Sequence, residues 1–284
     1  MTLNLKKQLL SLNPPVVMGI LNITDDSFFD GGKYTTEKAI VARAAQILEE
    51  GAALIDIGAV STRPGAAELD EAIENERIKK TVRLILKAFP DALLSIDTWR
   101  ASVAEMAVNE GAAMINDVSG GAFDANMLKT VAALQVPYCL MHTSAKPDIM
   151  QQHIHYNDLL TDILQFTGRQ LECLNSLGVH DVIIDPGFGF GKTQAQNYHL
   201  MNNLEAFHIF GRPLLVGISR KSMIYKLLQT TPEQALNGTS VLNTLAIERG
   251  AHILRVHDVK EAVEVIKIVE AFQPPASNCR ASRE

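Results

Sequence analysis

Polar side chains stand at the ends of six of eight short apolar runs in this chain. They comprise carboxylates, amides, a hydroxyl and cationic groups: Asn22, Asp97, Asn116, Asp185, Ser219 with Lys221, and Arg255 with His257. A single Asn or Asp at a strand end is usually a turn former. Together, however, two carboxylates and an amide suit a ligand edge rich in hydrogen-bond donors, and the basic groups suit an anion.

Arg255 and His257 are two positions apart at the end of the last apolar run. Extended backbone sends such side chains to the same side, which predicts an anion clamp. An isolated Arg-x-His pair is more often surface decoration, but Arg63 and Asn22 are predicted at the same rim. Lys221 stands at a predicted helix start, where backbone N–H groups favour an anion. The neighbouring Arg220 is interpreted as a structural or solvated residue.

The glycine-rich segment 186–193 resembles half of a phosphate loop. Gly191, Lys192 and Thr193 match the end of the pattern G-x-x-x-x-G-K-[ST]. Pro186 stands where the first glycine is required, and proline has no N–H to offer a phosphate. The segment is therefore predicted to be a mobile loop after a strand.

The elements that position these residues alternate between strands and helices. The apolar runs are Val16–Ile23, Ala53–Ile57, Ala92–Ile96, Ala113–Asn116, Pro137–Met141, Val182–Asp185, Pro213–Ile218 and His252–Val256. Helix-like stretches lie between them, including Glu37–Glu50, Asp70–Ala88, Ala101–Glu110, Leu159–Leu177 and Glu233–Arg249, and a last helix begins near Val259. Alternation predicts a parallel sheet, and only a closed barrel brings all the polar ends to one rim.

We therefore predict α/β architecture with a single (β/α)8 TIM barrel. One domain is expected over residues 1–284, with residues 1–15 as an N-terminal extension and about 273–284 as a disordered tail. No linker or internal repeat beyond the βα unit divides the chain.

Composition narrows the function classes. Hydrophobic residues are 47% and charged residues 20% of the 284 positions, as in ordinary globular proteins. A net charge of −6 argues against nucleic acid as a partner. Cys139, Cys173 and Cys279 form no disulfide or C-x-x-C pattern, and Cys139 is interpreted as a core residue. With no apolar stretch for a signal peptide or membrane span, the expected location is the cytoplasm.

Five segments of the chain resemble one enzyme family in the family's own order. They are Met18–Thr24 (MGILNIT), Ser61–Ala66 (STRPGA), Ile183–Thr193 (IIDPGFGFGKT), Gly217–Ser222 (GISRKS) and Arg255–Asp258 (RVHD). The chain is similar here to the dihydropteroate synthases, which are pterin-binding TIM barrels. The resemblance implies a transferase that condenses 6-hydroxymethyl-7,8-dihydropterin diphosphate with p-aminobenzoate, giving 7,8-dihydropteroate and diphosphate in folate biosynthesis.

The resemblance also implies roles for individual residues. Asn22, Arg255 and His257 would surround the diphosphate, and Asn22 would also contact Mg²⁺. Asp185 would accept two parallel hydrogen bonds from the 2-amino group and the adjacent ring nitrogen of the pterin, which together form the pterin fork. Asn116, Asp97 and Lys221 would complete the polar boundary of the ring. Ser219 would contact the p-aminobenzoate carboxylate, and Phe190 with Thr62 would enclose the benzoate ring. Asn22, Asp97, Asp185, Lys221, Arg255 and His257 are thus the expected catalytic set, and Arg63 joins the substrate-binding residues.

The sequence departs from the family pattern near two loops. The segment Thr24–Gly32 is predicted to be a lid, and Asp25 stands in it where the family usually has proline. This change is expected to leave the lid less restrained. Val60 replaces the usual glutamate, which removes one expected polar contact.

Two other functions remain open at this stage. A corrinoid-type pterin methyltransferase would share the aspartates and asparagine but would need no diphosphate clamp. A non-catalytic pterin-binding protein could keep the pocket without turnover. The family further implies a homodimer built on outer helices and identifies sulfonamides as mimics of p-aminobenzoate.

Overall fold

The computed structural model describes residues 1–5, 8–23, 37–60, 69–150, 152 and 154–272. Two strands, β1 (Thr2–Leu5) and β2 (Gln8–Ser11), form an antiparallel hairpin. Eight parallel strands follow: β3 (Val16–Asn22), β4 (Leu54–Gly58), β5 (Leu94–Asp97), β6 (Met114–Asp117), β7 (Tyr138–Met141), β8 (Val182–Asp185), β9 (Leu215–Val216) and β10 (Ile253–Val256).

The eight strands form a barrel. Their order is β8-β7-β6-β5-β4-β3-β10-β9, and an isolated parallel bridge between Ile184 and Leu214 joins the two ends of this order. Each of the eight predicted apolar runs overlaps one of these strands. The predicted (β/α)8 barrel is therefore confirmed.

Helices occupy the connections between the strands. They are α1 (Glu37–Glu49), α2 (Glu71–Ala88), α3 (Ala101–Asn109), α4 (Met127–Leu134), α5 (Leu159–Ser176), α6 (Gln194–Asn202), α7 (Ser222–Tyr225), α8 (Leu236–Glu248) and α9 (Val259–Phe272). Two 3-10 helices span Leu204–Phe210 and Pro232–Gln234. In the described part of the chain, no helix is long and apolar enough to cross a membrane.

Local sequence explains where the long helices begin and which face they bury. Asp70 accepts a hydrogen bond from the backbone N–H of Ala72 at 2.8 Å, which caps the start of α2. Ile78, Val82 and Ile85 then form its buried stripe. The predicted helix 233–249 is divided in the structure, because a 3-10 turn at Pro232–Gln234 precedes α8.

The barrel interior is closed at the amino-terminal end of its strands. Leu3, Leu5 and Leu12, from the hairpin and the residue after it, pack against the first inward-facing side chains of the barrel. That layer consists of Met18, Leu54, Met114, Cys139, Ile183, Leu215 and Ile253. Polar residues occupy the interior above this apolar layer, so the chemistry lies toward the carboxyl ends of the strands.

Candidate active site

Three predicted site residues lie in one row across four neighbouring strands. Backbone register pairs Asn22 with Gly58, Gly58 with Asp97, and Asp97 with Asn116. A Cβ at Gly58 would lie 3.6 Å from Oδ1 of Asn22 and 3.5 Å from Oδ2 of Asp97. Because glycine has no side chain, the carboxamide of Asn22 and the carboxylate of Asp97 face the same opening.

Arg255 lies between two buried carboxylates. Its Nε donates to Oδ2 of Asp56 at 2.6 Å, and its Nη2 donates to Oδ2 of Asp97 at 2.7 Å. Nδ2 of Asn116 also donates to Oδ2 of Asp56, at 3.0 Å. The guanidinium predicted to clamp an anion is thus held by two carboxylates, while its Nη1 has no acceptor among the described residues.

Asp56 is a functional residue that sequence reasoning missed. It is fully buried on β4, and its Oδ1 has no hydrogen-bond partner in the described part of the structure. The sequence does contain an indication of this role, because Asp56 lies inside the apolar run 53–57, where burial of an unpaired charge costs free energy. Its partners are 60 and 199 residues away in sequence, so the pattern of the run alone did not identify them.

The charges in this cluster shift one another's titration. Burial alone would lower the pKa of Arg255, but the Asp56 and Asp97 carboxylates outweigh burial and raise it. Burial raises the pKa of Asp97, and the charge of Arg255 opposes this rise. Arg255 therefore remains a cation that compensates the buried carboxylates.

Asp185 lies at the end of β8 and is almost fully buried. Its Oδ1 accepts a hydrogen bond from the backbone N–H of Gly187 at 2.8 Å. Burial raises the pKa of the carboxyl group, and the nearby ammonium of Lys221 opposes the rise.

Cys139 lies on the neighbouring strand β7. Burial raises the pKa of its thiol well above the usual value, which agrees with a core residue.

The glycine-rich segment after Asp185 is a packed structure, and the prediction of a mobile loop was wrong. Phe188 is completely buried, and Nζ of Lys192 donates to the carbonyl of Gly187 at 2.8 Å. The backbone N–H of Gly189 donates to Oδ1 of Asn197 at 2.6 Å. The lysine thus contacts its own loop, which agrees with the rejection of a phosphate cradle.

Phe190 belongs to an apolar cluster at the same rim. The buried members are Trp99, Val118, Met141, Met150 and Phe190, with Val60, Phe123 and Ala145 packed against them. Val60 is therefore part of an apolar wall at the position where the family usually has glutamate. The loss of one polar contact at Val60 is accompanied by a gain in apolar packing.

Lys221 contacts the glycine-rich loop from the other side. Its Nζ donates to the carbonyl of Phe188 at 2.5 Å and lies 4.5 Å from the centre of the Phe190 ring. Burial lowers the pKa of Lys221 to about 8, although Asp185 opposes the change. The helix that follows is only four residues long, so its dipole adds less to an anion site than the sequence suggested.

Ser219 and His257 are in direct contact. Oγ of Ser219 accepts from the backbone N–H of His257 at 3.2 Å and lies 3.2 Å from its Nδ1. Burial, followed by the charge of Arg255, lowers the pKa of His257 to about 4. The imidazole is therefore neutral at pH 7 and can donate one N–H to a ligand.

Two arginines support this part of the rim. Arg43 of α1, which sequence reasoning missed, donates to the carbonyl of His257 at 2.7 Å. Arg220 forms a two-point ion pair with Asp258, at 2.9 Å and 2.6 Å. Arg220 is structural, as expected, and it ties the segment after β9 to the segment after β10.

Four predicted features fall outside the described residues. They are Thr62, Arg63, the lid Thr24–Gly32, which includes Asp25, and the tail at about 273–284. The other predicted site residues all lie at the carboxyl rim of the barrel.

Comparison with known proteins gives one consistent result. The chain matches the pterin binding enzyme family over residues 18–257. Dihydropteroate synthase of Escherichia coli (strain K12) is 40% identical over 273 residues, covering 95% of this chain and 96% of that protein.

Solved structures agree with the sequence comparison. Yersinia pestis dihydropteroate synthase, solved as a sulfonamide drug complex, has a TM-score of 0.90 and 43% identity, covering 96% of this chain and 99% of that chain. The Xanthomonas albilineans enzyme with 4-aminobenzoic acid has a TM-score of 0.89 and 38% identity, covering 96% and 98% of the two chains. The similarity therefore extends over nearly the whole of the barrel.

Proposed function

The chain belongs to the pterin-binding enzyme family and, within it, to the dihydropteroate synthases, and from this premise we propose how its residues perform the reaction. The enzyme is a transferase of folate biosynthesis. It joins 6-hydroxymethyl-7,8-dihydropterin diphosphate to p-aminobenzoate and releases diphosphate. The carbon–oxygen bond to diphosphate breaks, a carbon–nitrogen bond to the aryl amine forms, and the amine loses one proton.

The observation that carries this assignment of roles is the buried group of Asp56, Asp97, Asn116 and Arg255 beside Asp185. Because Nδ2 of Asn116 is engaged by Asp56, its Oδ1 is the atom left to accept from a ligand. Asp185 adds a carboxylate that can accept the two parallel N–H groups of the pterin fork. Acceptors thus predominate in the interior, as a donor-rich heterocycle requires.

Departure of the diphosphate is assisted by groups at the mouth of this pocket. Neutral His257 donates a hydrogen bond, and Arg255 offers the Nη1 group that no described residue engages. Such donors stabilise charge that develops on the leaving oxygen. The pterin ring is conjugated with the carbon left behind, so ionisation precedes attack by the weakly nucleophilic aryl amine. Positioning therefore replaces covalent catalysis.

We propose Mg²⁺ as the cofactor, with Asn22 supplying one oxygen. Among the described residues, no three His, Cys, Asp or Glu side chains form a metal site. The single amide oxygen of Asn22 fits Mg²⁺, because this ion binds through few protein oxygens and completes its shell with water and substrate phosphates. When bound, the ion would neutralise charge on the diphosphate.

The p-aminobenzoate compartment is proposed above the pterin pocket. Phe190 and Lys221 would form one wall, Ser219 would contact the carboxylate, and Thr62 with Arg63 would complete the compartment. The Xanthomonas albilineans relative was solved with 4-aminobenzoic acid, which supports this substrate. The Yersinia pestis complex makes a sulfonamide a suitable competitive probe of the compartment.

We also propose a homodimer on the outer helices. Val241 and Leu245 of α8 and Ile268 and Phe272 of α9 are exposed, and each pair is four residues apart on its helix. Exposed apolar side chains on two adjacent helices fit an interface with a second copy. Sedimentation of the parent and Val241→Glu proteins would test this. A cytoplasmic location is inferred from the cysteine pattern and is likewise a proposal.

Diphosphate release tests the proposed reaction against its rivals. The parent enzyme should release diphosphate from the dihydropterin diphosphate rapidly when p-aminobenzoate is present, in equal amount to dihydropteroate. A methyltransferase or a non-catalytic pterin-binding protein would give no p-aminobenzoate-dependent release. Arg255 and His257 lie at the rim as candidate contacts for the diphosphate, and their presence favours the synthase over both alternative functions.

A further inference from the structure

Lys192 is a buried lysine for which the reaction has no direct use. The residue is 3% exposed, and its Nζ lies 2.8 Å from the carbonyl oxygen of Gly187 and 3.1 Å from that of Phe190. Nδ1 of His142 lies 3.4 Å from the same Nζ. All of these partners are neutral at pH 7, because burial lowers the pKa of His142 to about 3.

Burying a lysine amine without a carboxylate in hydrogen-bond contact costs free energy. Burial lowers the pKa of Lys192 to about 7, and the charge of Asp185 only partly opposes this. A neutral apolar side chain would fill the space without the desolvation penalty, but it would leave the two carbonyl groups without this donor. The contacts therefore point to a constraint on the loop.

The loop needs such a constraint because its glycines adopt unusual backbone conformations. Gly187, Gly189 and Gly191 have φ values of 76°, 81° and 57°. A Cβ at Gly187 would lie 2.0 Å from the carbonyl oxygen of His142, so glycine is required for this close approach. Glycine also has the greatest freedom to leave the conformation, so hydrogen bonds from other residues are needed to keep it in place.

The constraint on the loop also positions the side chain of Phe190, which faces the proposed substrate compartment. Phe190 stands between Gly189 and Gly191, and its carbonyl is held by Lys192 while its ring lies 4.5 Å from Nζ of Lys221. The ring also packs in the cluster that contains Trp99. Two lysines thus hold the loop. Lys192 binds the carbonyls of Gly187 and Phe190, and Lys221 binds the carbonyl of Phe188 and lies against the Phe190 ring.

We propose that Lys192 is a positioning residue for p-aminobenzoate: by binding the carbonyls of Gly187 and Phe190, it fixes the Phe190 ring as a wall of the compartment. The identity of the substrate rests on the proposed function. Lys192 itself touches neither substrate, and its effect passes through Phe190. Pterin recognition depends on Asp56, Asn116 and Asp185 and should be little affected.

The test compares Lys192→Met with Thr193→Ala. Methionine keeps the length of the side chain and removes its charge and donors. The control removes the adjacent cap of α6, in which Oγ1 of Thr193 accepts from the N–H of Gln196 at 3.2 Å. We expect Lys192→Met to raise the KM for p-aminobenzoate at least tenfold, with less than a twofold change in the Kd for a pterin analogue. Thr193→Ala should change neither value by more than twofold.

A second measurement needs no substrate. Trp99 is the only tryptophan in the chain and shares the Phe190 cluster, so its fluorescence reports on the packing of that ring. Lys192→Met should shift Trp99 emission to longer wavelength and increase quenching by acrylamide. This result would support positioning of Phe190 even if the parent failed to consume p-aminobenzoate, which would overturn the proposed function alone.

Three results would overturn the positioning role. They are an unchanged KM with unchanged fluorescence in folded Lys192→Met, equal losses of pterin and p-aminobenzoate affinity, or the same KM increase in Thr193→Ala. If Lys192→Met does not fold, Lys192→Gln retains an amide donor and serves in its place. The glutamine variant should give a smaller KM increase in the same direction, and an unchanged KM together with unchanged Trp99 fluorescence would reject the proposal.

Discussion

Asp56 and Arg255 are 199 residues apart in sequence, yet they share a 2.6 Å hydrogen bond inside the barrel. The same carboxylate oxygen accepts from Asn116 at 3.0 Å. Asp56 therefore fixes two of the groups proposed to contact the substrate, Asn116 and Arg255, and compensates the charge of Arg255.

Replacing Asp56 with asparagine should weaken both stability and pterin binding. The substitution keeps the size of the side chain but removes the charge from two hydrogen bonds, for a loss on the order of 1.5–3 kcal/mol. Urea unfolding and calorimetry with a pterin analogue would measure the two effects. Glu110→Gln is a suitable control, because Glu110 pairs with Arg83 at the surface and should change stability much less. Equal stability losses in the two variants would contradict the role of Asp56.

Asp185→Asn should weaken pterin binding while the fold remains intact. The carboxylate loses one charge-assisted fork, at a cost on the order of 1.5–3 kcal/mol, but the asparagine oxygen can still accept from the N–H of Gly187. Calorimetry with a pterin analogue is the measurement, and circular dichroism is the control for folding. Unchanged affinity in the folded variant would remove Asp185 from the site.

His257 should remain neutral throughout the physiological pH range. Its pKa in the folded protein is lowered to about 4 from an ordinary value of 6.5. Between these values the unfolded chain binds a proton that the native protein excludes, so stability rises as the pH increases from about 4 to about 6.5. An NMR titration of the imidazole should show a midpoint near pH 4, whereas a midpoint near 6.5 would contradict burial of this ring.

Pterin affinity should fall as the pH rises through about 8. The pKa of Lys221 is lowered to about 8 by burial, so its ammonium is present below that value and lost above it. Affinity measured by calorimetry from pH 6 to 9.5 should show this decline in the parent and not in Lys221→Met. A decline of the same size in the variant would assign the titration to another group.

Binding of p-aminobenzoate should require diphosphate. We expect the anion and Mg²⁺ at Asn22 to close the predicted lid, Thr24–Gly32, and so complete the compartment. The measurement is a titration of p-aminobenzoate with Mg²⁺ present, carried out alone and again with saturating diphosphate and a pterin. Equal affinities would reject ordered binding without affecting the assignment of the enzyme.

The sequence was sufficient to predict the barrel because strand and helix patterns are local. The runs that became β3 to β10 carry their apolar character within a few residues, and three of the helix starts carry their own caps, as Asp70 does for α2. Residues at the strand ends were found for the same reason. Their convergence followed from the closed barrel and not from any pairwise signal.

The supporting residues could not be predicted because their roles depend on long-range contacts. Arg43 meets His257 across 214 positions, and Asp56 meets Arg255 across 199. The loop around Lys192 was wrongly predicted to be mobile for a different reason. Its glycine-rich surroundings indicate freedom in an isolated chain, while the contacts that remove this freedom come from the loop's own carbonyl groups and from His142.

The hairpin that covers the amino-terminal end of the barrel determines where reactants and products can enter and leave. With Leu3, Leu5 and Leu12 packed beneath the interior, every reactant and product must use the opposite mouth. Asn116, proposed to contact the pterin, and its partner Asp56 lie deeper than the Phe190 wall, so we expect the pterin to enter before p-aminobenzoate. A compound seated beside Phe190 would therefore obstruct the exit of a pterin beneath it.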